Sequence, residues 1–268
     1  HAIDHMFLLI SATAVASVAE EFGYARWEDL LPFSAGAFLM FGLGSVPAGR
    51  LGDLWGRRSM MVVFFFGMGA SALLCAATQN AWQMAAALAL LGVFSAIYHP
   101  VGIPMLLQHA ARPGVTIGIN GLAGNMGIAV AALVTGFTVK YLGWRMAFVL
   151  PGIVSIACGL LFLRLAPAET EAPSKRKAKA TVTLPPQLLA RLFLVMTFAA
   201  ISGSLLFNFT TNGNGQLMRE RFTGIVEDPA QLGLMLAVVY AVASFAQVIV
   251  GRLIDRFPLK RLYFCIVL

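Results

Sequence analysis

Apolar residues fill long uninterrupted stretches of this chain, and short polar or basic segments separate them at nearly regular intervals. Stretches such as 60–77 and 232–250 carry no charge at all. A helix rising ~1.5 Å per residue needs about 20 mostly apolar residues to cross a ~30 Å hydrocarbon layer. A membrane β-barrel would instead show alternating segments of ~10 residues. The pattern therefore predicts helical spans at 1–19, 31–48, 59–77, 82–103, 117–142, 144–163, 188–209 and 232–250, with the opening turns of a ninth at 262–268. A polar stretch from 164 to 186, with Lys175, Arg176, Lys177 and Lys179 among Pro, Ala and Thr, reads as a solvated linker. The expected organisation is a first bundle over 1–163, a linker over 164–187 and a partial second bundle over 188–268.

Composition strengthens that reading. Hydrophobic residues make up 59% of the chain and charged residues 12%, with a mean hydropathy of +0.81. A soluble domain needs about 25% charged residues to cover its surface, so part of this surface faces lipid. The net charge of +7 raises the question of nucleic acid, but the placement of the charges answers it. Fourteen of the nineteen Lys and Arg lie in 49–58, 104–116, 164–191 and 251–261. The opposite side holds Arg26, Lys140, Arg145, Arg219 and Arg221, beside Glu20, Glu21, Glu28 and Asp29. Positive loops face the cytoplasm, so the basic loops, the linker and the start of the chain are expected there, in a bacterial plasma membrane. The partner is the lipid bilayer, and no nucleic acid is expected. Cys75, Cys158 and Cys265 lie in apolar spans without metal or disulfide spacing and read as packing residues. A chain that has no initiator Met and stops in the opening turns of a span reads as a piece of a longer protein.

One short segment occurs twice. Gly49-Arg50-Leu51-Gly52-Asp53-Leu54-Trp55-Gly56-Arg57-Arg58 follows the second span, and Gly251-Arg252-Leu253-Ile254-Asp255-Arg256-Phe257-Pro258-Leu259-Lys260-Arg261 follows the eighth. Gly, Arg, Leu and Asp match in place. Gly permits close helix approach and tight turns, Asp can cap a helix or pair with Arg, and the cations anchor to the inner leaflet. Such a cluster can latch one conformation and release it in another; alone, either copy is equally an ordinary positive-inside turn. The first copy resembles the signature loop of the major facilitator superfamily, G-x-L-x-D-x-x-G-R-[RK], at Gly49, Leu51, Asp53, Gly56, Arg57 and Arg58. In the second, Pro258 replaces the second Gly and Leu259 the first Arg, which gives the N-terminal bundle the better-formed latch.

The resemblance implies an all-α polytopic fold of two pseudo-symmetric six-helix bundles around a central cavity that opens alternately to each side, the second bundle being incomplete here. Parallel halves related by an axis along the membrane normal fit a loop that recurs on one face. A narrower resemblance, to fosmidomycin-resistance-type efflux proteins, rests on Ser95-Ala96-Ile97-Tyr98-His99-Pro100, on Leu122-Ala123-Gly124-Asn125-Met126-Gly127 and on the pair His1 and Asp4.

Polar residues at membrane depth are the candidate chemistry. An ionisable residue inside a span costs ~2.5–3.5 kcal/mol on insertion scales and usually faces a cavity. Asp4 is the one carboxylate within the apolar spans, loop edges aside, and His1, Asp4 and His5 share a helix face at i, i+3 and i+4. Two readings stand: a proton-coupling carboxylate beside imidazoles, or a water-facing helix end. A His-x-x-Asp-His metal site is geometrically possible, but nothing else in the sequence supports one, so no metal or cofactor is expected. His99, before the helix-loosening Pro100, lies ~25 Å along its span towards the cytoplasm; it either binds substrate or bonds a freed carbonyl. Asn120 and Asn125 need partners in hydrocarbon and are candidate cavity residues, while Gly118, Gly121, Gly124 and Gly127 beside them read as packing. Asn208 and Asn212 open a polar, Gly-broken segment that reads either as substrate-binding or as an outer helix end. Gln247 and Arg145 read as a lone polar group and an interfacial anchor.

No Walker loop, G-x-S-x-G or H-E-x-x-H occurs, so ATP-driven transport and hydrolysis have no support. The sequence thus points to a monomeric, non-enzymatic secondary transporter of a small molecule, exporting a drug-like or anionic compound in exchange for protons. Asp4 with His1 and His5 would couple protons, and His99, Asn125, Asn120 and Asn208 would line the path. Gly49, Asp53, Gly56, Arg57, Arg58, Gly251 and Asp255 would form the latch. An importer is the main alternative, and a channel or a membrane scaffold a further one.

Overall fold

The computed structural model describes residues 1–108, 110–169, 172–175 and 184–267, with the backbone alone at 8, 212 and 267. The basic linker residues Arg176, Lys177 and Lys179 and the side chain of Asn212 lie outside the described residues. Helices account for the architecture: α1 (Ala2–Glu21), α2 (Ala35–Trp55), α3 (Arg57–Ala77), α4 (Ala81–Ser95), α5 (Ile103–Leu107), α6 (Pro113–Leu142), α7 (Trp144–Leu165), α8 (Pro186–Arg221), α9 (Pro229–Ile254) and α10 (Leu259–Val267). Counting α4 to α5 as one crossing, eight stretches among the described residues are long and apolar enough to cross a membrane. The chain is an all-α polytopic membrane protein. Large apolar side chains such as Val46, Leu161, Phe193 and Val242 point outward, as lipid requires.

Packing pairs the helices. α2 lies on α4, α3 on α7, α1 on α6, and α6 on α9. The last pair joins the first six spans to the last ones along its whole length. The stripe of glycines in α6 explains how one helix serves two neighbours. Residues three apart fall 60° short of a full turn per step, so Gly118, Gly121, Gly124 and Gly127 wind half-way round the helix. A Cβ on Gly118 would lie 2.7 Å from the Gln247 carbonyl oxygen of α9, and one on Gly127 would lie 2.1 Å from the Ala2 carbonyl oxygen of α1. Glycine here lets three backbones pass in contact, the close approach that lipid-embedded helices use.

Three segments differ from the expectation. Both copies of the repeated segment begin as helix, since α2 runs to Trp55 and α9 to Ile254. Their glycines are interhelical contact points, and only Gly56, at φ 97°, makes a turn. The polar end of the seventh span is also helical. α8 continues to Arg221 because its polar side chains bond their own helix: Asn208 Nδ2 donates to the Ser204 carbonyl at 2.9 Å, and Thr210 Oγ1 to that of Leu206 at 2.9 Å. Finally, the fourth span is not continuous. Pro100 and Pro104 lack N–H donors, and between them and Ser95 the chain opens into a wide π-type turn at Tyr98–Gly102.

Candidate functional site

That wide turn positions the site. Wide turns inserted in helices recur at functional positions, and this one directs both Tyr98 and His99 inward, where α1 presents His1, Asp4 and His5. Asp4 is fully buried, not at a water-facing helix end. Ser95 donates its hydroxyl to Asp4 Oδ1, and His99 Nε2 stands 3.4 Å from Asp4 Oδ2. Oδ2 accepts no hydrogen bond among the described residues. The two imidazoles of α1 approach with their Nε2 atoms 3.0 Å apart. His1 Nδ1 lies 2.6 Å from the Asn120 carbonyl oxygen; a carbonyl only accepts, so this nitrogen carries the proton and donates. Tyr98 stacks on the His1 ring with centroids 4.9 Å apart and donates its hydroxyl to Asn120 Oδ1 at 2.5 Å.

Five of the sequence-predicted residues thus meet: His1, Asp4, His5, His99 and Asn120. Asn120 lies only ~10 Å along α6 from its basic end, so the cluster sits nearer the basic face, as the position of His99 predicts. Asn125 is half-buried on α6 and outside the cavity wall described next. Ser95 and Tyr98, part of the segment that carries the narrower resemblance, have no site role assigned from the sequence. Their signal was present: Ser95 stands four residues before His99, one turn away on the same face.

Above the cluster lies a cavity of about 1300 Å³. His5 and His99 mark one end, and Trp27, Leu30 and Leu31, on the side opposite the basic loops, mark the other. α1, α2 and α4 supply one wall, and α8, with Phe207 and Asn208, supplies the facing one. The described walls are mainly aromatic and aliphatic, with Ser, Thr, Asn, Gln and the two histidines as polar groups, and carry no Lys, Arg, Asp or Glu. Apolar walls with a few convergent polar groups are the usual form of a small-molecule site.

At the basic face the two repeated segments make different contacts. In the first, Arg57 Nη1 donates to the Pro104 carbonyl at 3.2 Å, while Arg58 donates to the carbonyls of Ala166 (Nε, 3.0 Å) and Leu163 (Nη2, 2.7 Å). The backbone N–H of Arg58 donates to Glu169 at 2.9 Å. In the second, Asp255 accepts from the N–H groups of Gly114 at 2.7 Å and Val115 at 2.9 Å. It therefore caps the N-terminus of α6, where free N–H groups and the helix dipole both favour a carboxylate. Gly251 packs beside it against Gly114 and Gly118.

Residues 2–268 match the Major Facilitator Superfamily. The chain belongs to this superfamily. Among its relatives, a probable actinorhodin transporter of Streptomyces coelicolor is 29% identical over 170 residues, 60% of this chain and 28% of the relative. Puromycin resistance protein pur8 of Streptomyces alboniger is 31% identical over 134 residues, 49% of this chain and 26% of the relative. The MFS-type transporter YybF of Bacillus subtilis is 27% identical over 225 residues, 78% of this chain and 52% of the relative. The match thus spans between a quarter and about half of these relatives' length. Within the superfamily framework, the cavity lies between the first six spans and the seventh, with the Asp4 cluster as its inner end.

Proposed function

We propose that the protein is a secondary active exporter that moves a small drug-like molecule by alternating access and couples it to protons at Asp4. The observation that carries this reading is the large, mostly apolar cavity between helices of both halves, ending on His5 and His99 beside a buried carboxylate. An ionisable residue at membrane depth usually faces a cavity and has a task, and Asp4 lies directly behind His99 at the polar end of this one. The relatives named for puromycin resistance and actinorhodin transport and the resemblance to fosmidomycin-type efflux proteins support export. Described walls without Lys or Arg favour an uncharged or cationic cargo over an anion. The basic loops face the cytoplasm of a bacterial plasma membrane in this reading. The two repeated segments, through Gly49, Asp53, Gly56, Arg57, Arg58, Gly251 and Asp255, act as the latch of that face.

The test is substrate-induced pH change in vesicles holding the full-length protein, with puromycin and fosmidomycin as a cationic and an anionic probe. Puromycin is expected to move and to drive a counter-flow of protons, and Asp4→Asn to abolish the proton signal. Transport with proton movement unchanged by Asp4→Asn would defeat the coupling assignment, and preferential movement of fosmidomycin would reverse the charge preference.

A further inference from the structure

We propose that His1, Asp4, His5 and His99 form a binding site for one divalent transition-metal ion of the zinc class, at the inner end of the cavity. The first three share one helix face, a set too sparse in itself to single out a metal. The fold supplies a fourth ligand from a distant part of the chain. One ligand atom from each residue lies within 4.8 Å of every other. Tetrahedral zinc, bound at ~2.0–2.1 Å, separates its ligand atoms by ~3.4 Å. Two pairs already stand near that spacing: His1 and His5 Nε2 at 3.0 Å, and Asp4 Oδ2 and His99 Nε2 at 3.4 Å.

Three details favour a cation at this point over a closed hydrogen-bond network. First, the His1 Nδ1 proton is committed to the Asn120 carbonyl, so a neutral ring turns the lone pair of Nε2 towards His5. A ring nitrogen bonded to a backbone carbonyl is how proteins orient metal-binding histidines. Second, Ser95 occupies Asp4 Oδ1 and leaves Oδ2 fully buried without a hydrogen bond among the described residues. Third, no Lys or Arg pairs with this buried carboxylate among the described residues, and a bound cation would neutralise it. Three imidazoles with one carboxylate suit zinc, cobalt, nickel or copper; magnesium and calcium prefer all-oxygen shells. His5 and His99 line the cavity, which gives the ion its entry path. Once bound, it would fasten α1 to the wide turn before α5. The site shares residues with the proton-coupling reading and does not depend on it.

The experiment uses the full-length protein in detergent, without a histidine tag, stripped with chelator and titrated with Co²⁺ and then Zn²⁺. The expected result is the visible absorption of a tetrahedral Co²⁺ centre at one ion per chain, displaced by Zn²⁺. His5→Ala and His99→Ala should each weaken binding by roughly tenfold or more, while Arg26→Ala, on the exposed far side, should leave it intact. Absence of a tetrahedral Co²⁺ spectrum, or its survival in the His5→Ala/His99→Ala double variant, overturns the site. The vesicle assay repeated in chelator separates the two readings. Transport in chelator by a protein that binds no Co²⁺ removes the metal site alone. Co²⁺ binding by a protein that transports nothing removes the transport reading alone.

Discussion

The two copies of the repeated segment carry matched residues in matched places and do different things. Gly49 and Gly251, Asp53 and Asp255, and Gly56 and Pro258 correspond. The first copy holds its own half together: Arg57 and Arg58 grip carbonyls near the ends of α5 and α7, while Asp53 makes no hydrogen bond or ion pair among the described residues. The second copy reaches across, with Asp255 capping α6 and Gly251 seated in its backbone. A repeat therefore specifies which membrane face a segment occupies, while the helix packed against it decides what the segment binds. Among the described residues, the hydrogen bonds of the better match to the superfamily signature stay within the first six spans, and those of the degenerate copy join α9 to α6.

The largest effect that would test this contrast lies at the paired glycines. A Cβ on Gly251 would stand 2.5 Å from the Gly114 carbonyl oxygen and 2.8 Å from Gly118 Cα, both backbone atoms that cannot swing away. A Cβ on Gly49 would meet only Pro100 Cβ, at 3.3 Å. Gly251→Ala should thus destabilise the protein by about 2 kcal/mol through overpacking. Gly49→Ala should change stability by no more than about 0.5 kcal/mol, because relief of glycine's entropy cost in a helix offsets the mild contact. Thermal unfolding of the two variants in detergent measures the difference, and equal losses would mean that the copies are interchangeable after all.

Much of this is legible in the sequence alone. Spans of about 20 apolar residues announce themselves because, closed barrels aside, only a helix satisfies its own backbone in lipid. The helical face of His1, Asp4 and His5 followed from spacing alone. What the sequence could not carry was the partner of each group. Nothing near Asp255 in the chain points to Gly114, and nothing near His5 points to His99; those contacts depend on how α9 meets α6 and how Pro100 opens the fourth span. The extent of α8 is hidden in the sequence for a related reason. Gly and Asn normally punctuate helices, but at membrane depth the intrahelical bonds of Asn208 and Thr210 remove that signal. Gly118 to Gly127 were legible as packing residues, yet their division between two neighbours needed the 60° step to be set against real helices.

A smaller effect distinguishes the paired aspartates. Asp255→Ala removes two charge-assisted bonds from the N–H groups of an exposed helix end, a change of about 1 kcal/mol. That corresponds to roughly a fivefold shift between a closed and an open pairing of α6 and α9 at the basic face. Spin labels replacing Val115 and Arg256 should report a broader, longer distance distribution in Asp255→Ala. In Asp53→Ala the distribution should match that of the parent, since Asp53 makes no hydrogen bond or ion pair to either helix among the described residues. Broadening in both variants would show that the copies act through one shared element.

The smallest effect lies at the other end of the same interface and sharpens the comparison by removing the repeat from it. Where α9 begins, Asp228 accepts from the Ala230 N–H at 2.9 Å and pairs with Lys140 of α6. The hydrogen bond from Lys140, aided by that of Ala230, holds the Asp228 carboxyl below its ordinary range. A depressed carboxyl contributes stability that is fully present above its unfolded value, about 3.9, and is lost as pH falls through the folded one. The parent should therefore melt slightly above Asp228→Asn from pH 7 down to about 4, and the gap should close on further acidification. The pair is exposed and screened, so the gap should shrink in salt as well. A gap that persists at the lowest pH would mean that the charge of Asp228, and with it the pair with Lys140, is not the source of the difference.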